Sequence, residues 1–252
     1  DTGRRQYYLG LDFIRPKTKM PKLQILQEEL TSEYPQLQEL SLERAELPAI
    51  QPPDAHAIRI HSIGGWGAIT MGKNLAMAAG DLLGLYIKAS PKYGAEKKGH
   101  PTTFHATLAA ERIRLNCELQ EVDVVLSPDP NVFRHTNPLA GLKKGGVLVI
   151  QNDGNDEDLW RELPLLARQE IKAKNIQIYY LDAFKIATEE ASDKGYRYRM
   201  QGTAFLGAFF GASALMKRYD LDKARLIDGL KKQLQKKFED LEAQTIEDNM
   251  RI

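Results

Sequence analysis

The fold of this chain is decided by the stretch 56-HAIRIHSIGGWGAITMGKN-74. Its first part, Ala57–His61, has the alternation and apolar content of a short strand, and the residues from Ala68 to Leu83 have the spacing of a helix. The glycines between them permit positive φ angles and a close backbone approach. The helix N-terminus supplies free N–H groups and a partial positive charge. The stretch therefore predicts a strand–helix junction suited to a phosphate group.

The spacing of these glycines fits neither common nucleotide-binding motif. Gly65, Gly67 and Gly72 give G-x-G-x-x-x-x-G, which is not the dinucleotide fingerprint. Lys73 follows Gly72 as in a P-loop, but Asn74 stands where a Ser or Thr would hold magnesium. By itself the junction is a weak signal, and the alternative is a tight strand–helix turn that binds nothing.

Working outward, the rest of the chain alternates between strands and helices. Apolar runs predict strands at Leu85–Ala89, Thr102–Leu108, Arg112–Leu115, Val122–Leu126, Val147–Ile150 and Ile176–Leu181. Helices are predicted at Glu157–Lys174, at Thr203–Tyr219 and from Leu221 to about Glu247. This order predicts an α/β fold, a three-layer Rossmann-like domain with a mostly parallel sheet and two C-terminal helices.

Residues 1–55 differ in character from the domain that we assign to 56–252. Leucines and a tyrosine recur at helical spacing and prolines interrupt the pattern. The residues are Leu23, Leu26, Leu30 and Tyr34, with Pro35, Pro48, Pro52 and Pro53. We interpret this segment as an extended or helical arm that packs on a partner; the alternative is a disordered linker.

Composition excludes several functional classes. Lys and Arg total 35 against 34 Asp and Glu, so nothing in the net charge of +1 indicates nucleic acid or a membrane surface. No apolar run is long enough for a membrane span. The single Cys117 can neither form an internal disulfide nor supply the four thiolates of an iron–sulfur cluster, which favours a cytoplasmic location. The histidines lack metal-ligand spacing and no catalytic pair is evident, so we predict neither a metal site nor a catalytic residue.

A second segment of interest, Ser90–Pro101, follows the second predicted strand. It lies at the same carboxyl edge of the sheet as the glycine junction, where ligands of open α/β sheets bind. Lys92, Lys97 and Lys98 make it a cationic loop suited to a phosphorylated ligand. The alternative is a solvated surface loop.

Four motifs in series resemble the gamma subunits of pyruvate and other 2-oxoacid:ferredoxin oxidoreductases. They are Gly64-Gly65-Trp66-Gly67, Gly94–Pro101, Asp123–Leu126 and Lys144–Ile150. The resemblance extends from about His56 to Tyr219. Trp66 departs from it because many gamma subunits have Gln there, and Gln201-Gly202-Thr203 stands where relatives often have an Asn-Thr pair.

The resemblance implies a component of a complex that oxidatively decarboxylates a 2-oxoacid, such as pyruvate, to an acyl-CoA and reduces ferredoxin. Thiamine diphosphate and 4Fe–4S clusters would lie in alpha-, beta- and ferredoxin-type (delta) partner subunits. The gamma-type chain, inactive alone, would bind coenzyme A as substrate and help close the active site. The implied ligand contacts are Gly64, Gly65, Trp66 and Gly67, then Lys97 and Lys98, and then Lys73 and Asn74.

Two alternatives remain open from the residues alone. One is an assembly subunit whose coenzyme A pocket has been lost, which Trp66 favours. The other is a free-standing Rossmann-type nucleotide-binding enzyme. The glycine spacing argues against that enzyme, and so does the absence of an acidic residue at the end of the second strand, where a ribose ligand would be expected.

Overall fold

The computed structural model describes residues 29–30, 32–36, 51–92, 99–114, 121–192, 197–237 and 243–252. The chain divides into two compact units, Asp1–Pro48 and Ala49–Ile252. In the first unit, Leu30 lies in a short helical stretch and Tyr34 directly follows one, and both side chains are exposed. Asp54, which the sequence assigns to the arm, is bonded within the second unit: its carboxylate accepts from Ala110 N (2.6 Å) and its carbonyl accepts from Arg218 (3.1 Å).

The second unit contains six strands and nine helices among the described residues. The strands are β1 His56–Ile63, β2 Tyr86–Lys92, β3 Pro101–Ala109, β4 Val122–Ser127, β5 Leu142–Gln151 and β6 Gln177–Leu181. The helices are α1 Ala68–Leu83, α2 Val132–His135, α3 Asp156–Glu162, α4 Leu165–Lys174, α5 Ala183–Glu190, α6 Arg197–Ala212, α7 Leu215–Arg218, α8 Lys223–Lys237 and α9 Ala243–Arg251.

The strands form one sheet of order β2-β3-β1-β4-β5-β6. β1, β4, β5 and β6 are parallel, whereas β3 runs antiparallel to both β1 and β2. The predicted mostly parallel α/β fold is therefore confirmed. The predicted return strand at Arg112–Leu115 is wrong, since residues 112–114 form no strand. The chain reverses direction in β3 instead.

Apolar side chains cover both faces of the sheet, which gives the three layers. On one face, Ile60 and Phe104 of the sheet pack with Leu75 of α1 and Phe205 and Phe209 of α6. A smaller cluster covers the other face, mainly under α4. Its buried members are Ala57, Val122, Val125, Leu139, Leu142, Leu148, Leu163, Ala167, Ile171 and Ile176. The parallel strands are thus buried from two sides, as their near-continuous apolar sequences require.

Helix α1 places the glycine junction against the sheet. It buries Met71 and Leu75 on one face, and it ends where Gly84, at φ 66°, bonds back to Gly80 O. A Cβ added to Gly72 would lie 2.3 Å from the ring of Phe104 in β3. The helix can approach the strand this closely because residue 72 has no side chain.

The predicted helices are present but interrupted. The predicted helix Glu157–Lys174 is two helices, because Pro164 lacks an N–H and forces Leu163 into an extended conformation (ψ 134°). The two predicted C-terminal helices are likewise divided. The first forms α6 and α7, and the second forms α8 and α9, with residues 238–242 between them outside the described part. Among the described helices, none combines the length and apolar content that crossing a bilayer requires.

Candidate functional site

A tight turn, Gly64–Gly67, joins β1 to α1; we call it the glycine turn. Trp66 N donates to Ile63 O (3.1 Å) and closes it. Gly65 and Gly67 have φ angles of 101° and 80°, in the region that side chains disfavour. Glycine at these two positions therefore lets the chain reverse sharply and leaves the backbone uncovered.

The glycine turn is paired with the end of the predicted cationic loop. Gly64 N donates to His100 O (2.8 Å), and Gly99 N donates to Gly64 O (3.1 Å). The two segments that the sequence singled out therefore lie side by side at the carboxyl edge of β1. Lys97 and Lys98 themselves lie outside the described residues.

A cavity of about 470 Å³ opens beside this turn, and we call it the glycine-turn cavity. It is lined by Ile63, Gly64, Gly65, Gly67, Ala68, Ile69, Thr70, Lys73, Pro91 and Thr102. Four of the predicted ligand contacts, namely Gly64, Gly65, Gly67 and Lys73, are thus brought together. Thr70 and Thr102 were not predicted, although the position of Thr70 in the first turn of a helix after a glycine turn was an available signal.

The walls of this cavity are rich in unpaired backbone donors. The first helical bond of α1 runs from Met71 N to Gly67 O (2.8 Å). Within the described part of the chain, no acceptor meets the preceding N–H groups, those of Gly65, Gly67, Ala68, Ile69 and Thr70. The first turn of α1 also carries no acidic residue that would neutralise its positive end. Together with the exposed Lys73, these donors have the charge and geometry that suit an anion.

The other two predicted contacts on this segment do not line the cavity. The ring of Trp66 packs edge-on against Phe184 of α5, with 5.6 Å between ring centroids, so this side chain does not fill the cavity. The carbonyl of Trp66 accepts a hydrogen bond from Gln201 Nε2 of α6 (3.2 Å). Asn74 lies towards α8, where its carbonyl accepts from Gln233 Nε2 (3.2 Å). Local sequence held no signal for Gln201, because its contact depends on how α6 packs.

A second cavity, which we call the helical groove, lies between α6, α8 and α9 and has a volume of about 540 Å³. Its lining includes Leu206, Gly207 and Gly211 of α6 and Leu226 and Leu230 of α8. An added Cβ at Gly207 or Gly211 would meet no atom within 4 Å. Two polar side chains at one end bond each other, since Thr203 Oγ1 donates to Asn249 Oδ1 (2.8 Å).

Buried polar groups on β1 support the loop between α2 and β5. Arg59 donates to Pro138 O (3.0 Å), and His61 Nδ1 lies 3.2 Å from Thr136 Oγ1. Burial, with the charges of Arg59 and His105 nearby, lowers the pKa of His61 to about 3. His61 therefore stays neutral and serves the packing of the strand.

The polar side chains elsewhere in the described part of the chain form structural contacts. Among the described residues, no group of three His, Cys, Asp or Glu side chains could hold a metal ion. Ser127 Oγ donates to Asp129 O (2.9 Å) and Asn131 N donates to the Asp129 carboxylate (2.8 Å), which also lies 3.8 Å from His135 Nε2, so these groups hold the turn after β4.

Comparison with known proteins gives consistent results. The family model described as pyruvate ferredoxin/flavodoxin oxidoreductase matches residues 57–252. The chain is 31% identical over 167 residues to the common gamma subunit of the pyruvate/ketoisovalerate oxidoreductases of Thermococcus litoralis, covering 66% of this chain and 83% of that one.

Two solved structures share the fold. The pyruvate oxidoreductase subunit PORC of Thermotoga maritima aligns with a TM-score of 0.58 at 23% identity, over 79% of this chain and 92% of that one. The 2-oxoglutarate:ferredoxin oxidoreductase of Magnetococcus marinus, solved with 2-oxoglutarate, coenzyme A and succinyl-CoA bound, aligns with a TM-score of 0.54 at 20% identity, over 79% of this chain and 30% of that one. The extent of the family match, with a relative of the same subunit class, places this chain in the pyruvate ferredoxin/flavodoxin oxidoreductase family as a gamma-type subunit.

Proposed function

We propose that this gamma-type chain binds coenzyme A and helps close the active site of a 2-oxoacid:ferredoxin oxidoreductase. The complex would oxidatively decarboxylate a 2-oxoacid such as pyruvate, form the acyl-CoA and pass the electrons to ferredoxin. The observation that carries this proposal is the row of unpaired N–H groups around the glycine-turn cavity. Coenzyme A is rich in phosphates, which such donors bind at a helix N-terminus.

Positive charge next to the glycine-turn cavity also supports the proposal that coenzyme A binds there. Lys73 lines the wall, and the bonds of Gly64 with Gly99 and His100 anchor one end of the segment that contains Lys97 and Lys98. A lysine pairs with phosphate through charge-assisted hydrogen bonds. The Magnetococcus marinus neighbour holds coenzyme A, which agrees with this assignment.

The position of Trp66 bears on the alternative of a lost coenzyme A pocket. The Trp66 side chain would favour a lost coenzyme A pocket only if it occupied the space where the ligand binds. Its ring instead packs on Phe184 and leaves the glycine-turn cavity open. Coenzyme A binding is therefore the better proposal.

The remaining cofactors fit partner subunits better than this chain. The whole sequence has one cysteine, whereas a 4Fe–4S cluster is normally held by four thiolates. We therefore assign the clusters and thiamine diphosphate, which would supply the decarboxylation chemistry, to alpha-, beta- and ferredoxin-type partners. Iron and sulfide analysis of the isolated chain tests this, because stoichiometric amounts of both would contradict it.

Residues 1–55 are proposed to pack on such a partner. Leu30 and Tyr34 are 41% and 43% exposed, so apolar side chains at helical spacing are available for a partner to cover. Limited proteolysis should cut near Pro48–Pro53 in the isolated chain and be suppressed in the complex. Equal cleavage in both would show that the arm has no partner there.

The test of the proposed function is the double substitution of Lys97 and Lys98 by alanine in the purified complex. Losing two charge-assisted contacts should reduce the free energy of coenzyme A binding by about 2–4 kcal/mol, after allowance for the exposure of the lysines. This loss should raise the KM for coenzyme A tens- to several-hundred-fold. The KM for the 2-oxoacid should change little, and coenzyme A binding should weaken with salt. An unchanged dependence on coenzyme A would show that the loop is merely solvated.

A further inference from the structure

One buried side chain holds the glycine turn from behind. Gln201, on α6, is 1% exposed, and its Nε2 donates to the carbonyl of Trp66 at 3.2 Å. Its Oε1 is also buried, and it has no hydrogen-bond partner in the part of the chain that the structure describes. Only the donor half of the amide is therefore used.

This hydrogen bond fixes the direction of the peptide group between Trp66 and Gly67. The peptide is trans, so its N–H points away from its C=O. With the carbonyl directed to Gln201, the N–H of Gly67 is directed to the opposite side. Gly67 lines the glycine-turn cavity, and its N–H has no acceptor among the described residues.

Without that hydrogen bond, little would prevent the peptide from rotating. The ring of Trp66 is held by Phe184, which fixes the side chain but not the plane of the following peptide. Gly67 tolerates φ angles of either sign, so rotation at this residue meets little steric resistance. A rotated peptide would turn its carbonyl oxygen towards the cavity and repel an anion there.

We infer that Gln201 is a positioning residue: its amide holds the Trp66–Gly67 peptide so that an N–H, rather than a carbonyl, faces a phosphate group in the glycine-turn cavity. This inference deepens the proposed function and rests on it for the identity of the phosphate as coenzyme A. A role in packing alone accounts poorly for the residue. Methionine has a similar length and would fill the same space without an unpaired buried carbonyl.

The test replaces Gln201 with methionine in the purified complex. Isothermal titration calorimetry measures the Kd of inorganic pyrophosphate, and steady-state kinetics measure the KM for coenzyme A and for the 2-oxoacid. Gln201→Met should raise the pyrophosphate Kd and the coenzyme A KM about ten- to a hundredfold. The KM for the 2-oxoacid, and kcat at saturating coenzyme A, should stay at their wild-type values.

Gln233→Met is the matched control. Gln233 makes the same type of contact, Nε2 to a backbone carbonyl at 3.2 Å, but to Asn74 on the side of α1 that faces α8. This variant loses an equivalent hydrogen bond, and it should leave the pyrophosphate Kd and the coenzyme A KM unchanged. If Gln201→Met does not accumulate as folded complex, Gln201→Asn replaces it, because a shorter amide cannot span the distance to Trp66 O and should weaken pyrophosphate binding similarly.

The outcomes separate this inference from the proposed function. If the double substitution of Lys97 and Lys98 weakens coenzyme A binding and Gln201→Met does not, the inference is overturned and the proposed function stands. If Gln201→Met weakens pyrophosphate binding while coenzyme A proves not to bind through this chain, the inference stands and the proposed function fails. Absence of pyrophosphate and coenzyme A binding in the wild-type complex overturns both.

Discussion

The glycine-turn cavity and the helical groove share helix α1, with Lys73 lining the first and Asn74 the second, yet they differ in chemistry. The groove is the larger, at about 540 Å³ against about 470 Å³. Its walls are mainly apolar, and Thr203 and Asn249 are bonded to each other. The smaller cavity is lined by backbone N–H groups that meet no acceptor among the described residues. Volume therefore gives no reason to choose the groove, and the backbone donors are why we propose the smaller cavity as the phosphate site.

The largest expected effect is on the free energy of unfolding of the second unit, which contains both cavities. His61 has a pKa of about 3 in the fold against 6.5 for an ordinary histidine. Between these values the unfolded chain binds a proton that the folded chain does not, so stability falls as pH falls. We expect this residue to account for about 3 kcal/mol of lost stability between pH 6.5 and pH 4.

His61→Asn isolates this contribution, since asparagine does not titrate. Urea unfolding of the isolated chain at pH 6.5 and pH 4 should show a smaller acid loss in the variant than in the wild type. Identical losses in the two proteins would mean that His61 is protonated in the fold, contrary to its burial beside Arg59.

A smaller effect distinguishes the two cavities directly. Lys73 and Lys223 are both exposed lysines, and each lines one cavity. Lys73→Ala should weaken coenzyme A binding about three- to tenfold, because an exposed charge contributes less than a buried one. Lys223→Ala, the matched control, should leave it unchanged. Equal effects on the coenzyme A Kd, measured by calorimetry on the complex, would show only a general electrostatic influence.

The smallest expected effect concerns the groove alone. Gly207 lies within α6, where an added Cβ would meet no atom within 4 Å. Gly207→Ala should therefore stabilise the chain by about 0.5–1 kcal/mol, because alanine loses less conformational freedom in a helix. Thermal unfolding measures this gain, and coenzyme A binding should be unaffected. Gly72→Ala gives the contrast, since its Cβ would collide with Phe104 and should destabilise the fold.

The sequence predicted well those elements whose bounds are determined by neighbouring residues in the chain. Helix Ala68–Leu83 was predicted with its observed bounds because the glycines at 67 and 84 flank an amphipathic stretch. The resemblance to gamma subunits implied that Gly64, Gly65, Gly67 and Lys73 share one site; they line one cavity, and their contact with a ligand stays a prediction.

What the sequence predicted poorly depends on residues that are distant along the chain. The antiparallel direction of β3 is set by its pairing with β1 and β2, and nothing within Pro101–Ala109 encodes it. The orientation of Trp66 depends on Phe184, and the contact of Gln201 depends on the packing of α6. Pro164 is a local exception: it ends the helix at this point although the helical periodicity continues through it.

Pro91 lines the glycine-turn cavity, and it also has a consequence for aggregation. It lies in β2, an edge strand that has β3 as its strand neighbour among the described residues. Exposed edges can recruit strands from other molecules, and a proline interrupts such recruitment because it has no N–H to offer. The exposed Lys92 adds charge to the same edge. We therefore expect Pro91 to limit the addition of strands from other molecules at this edge of the sheet.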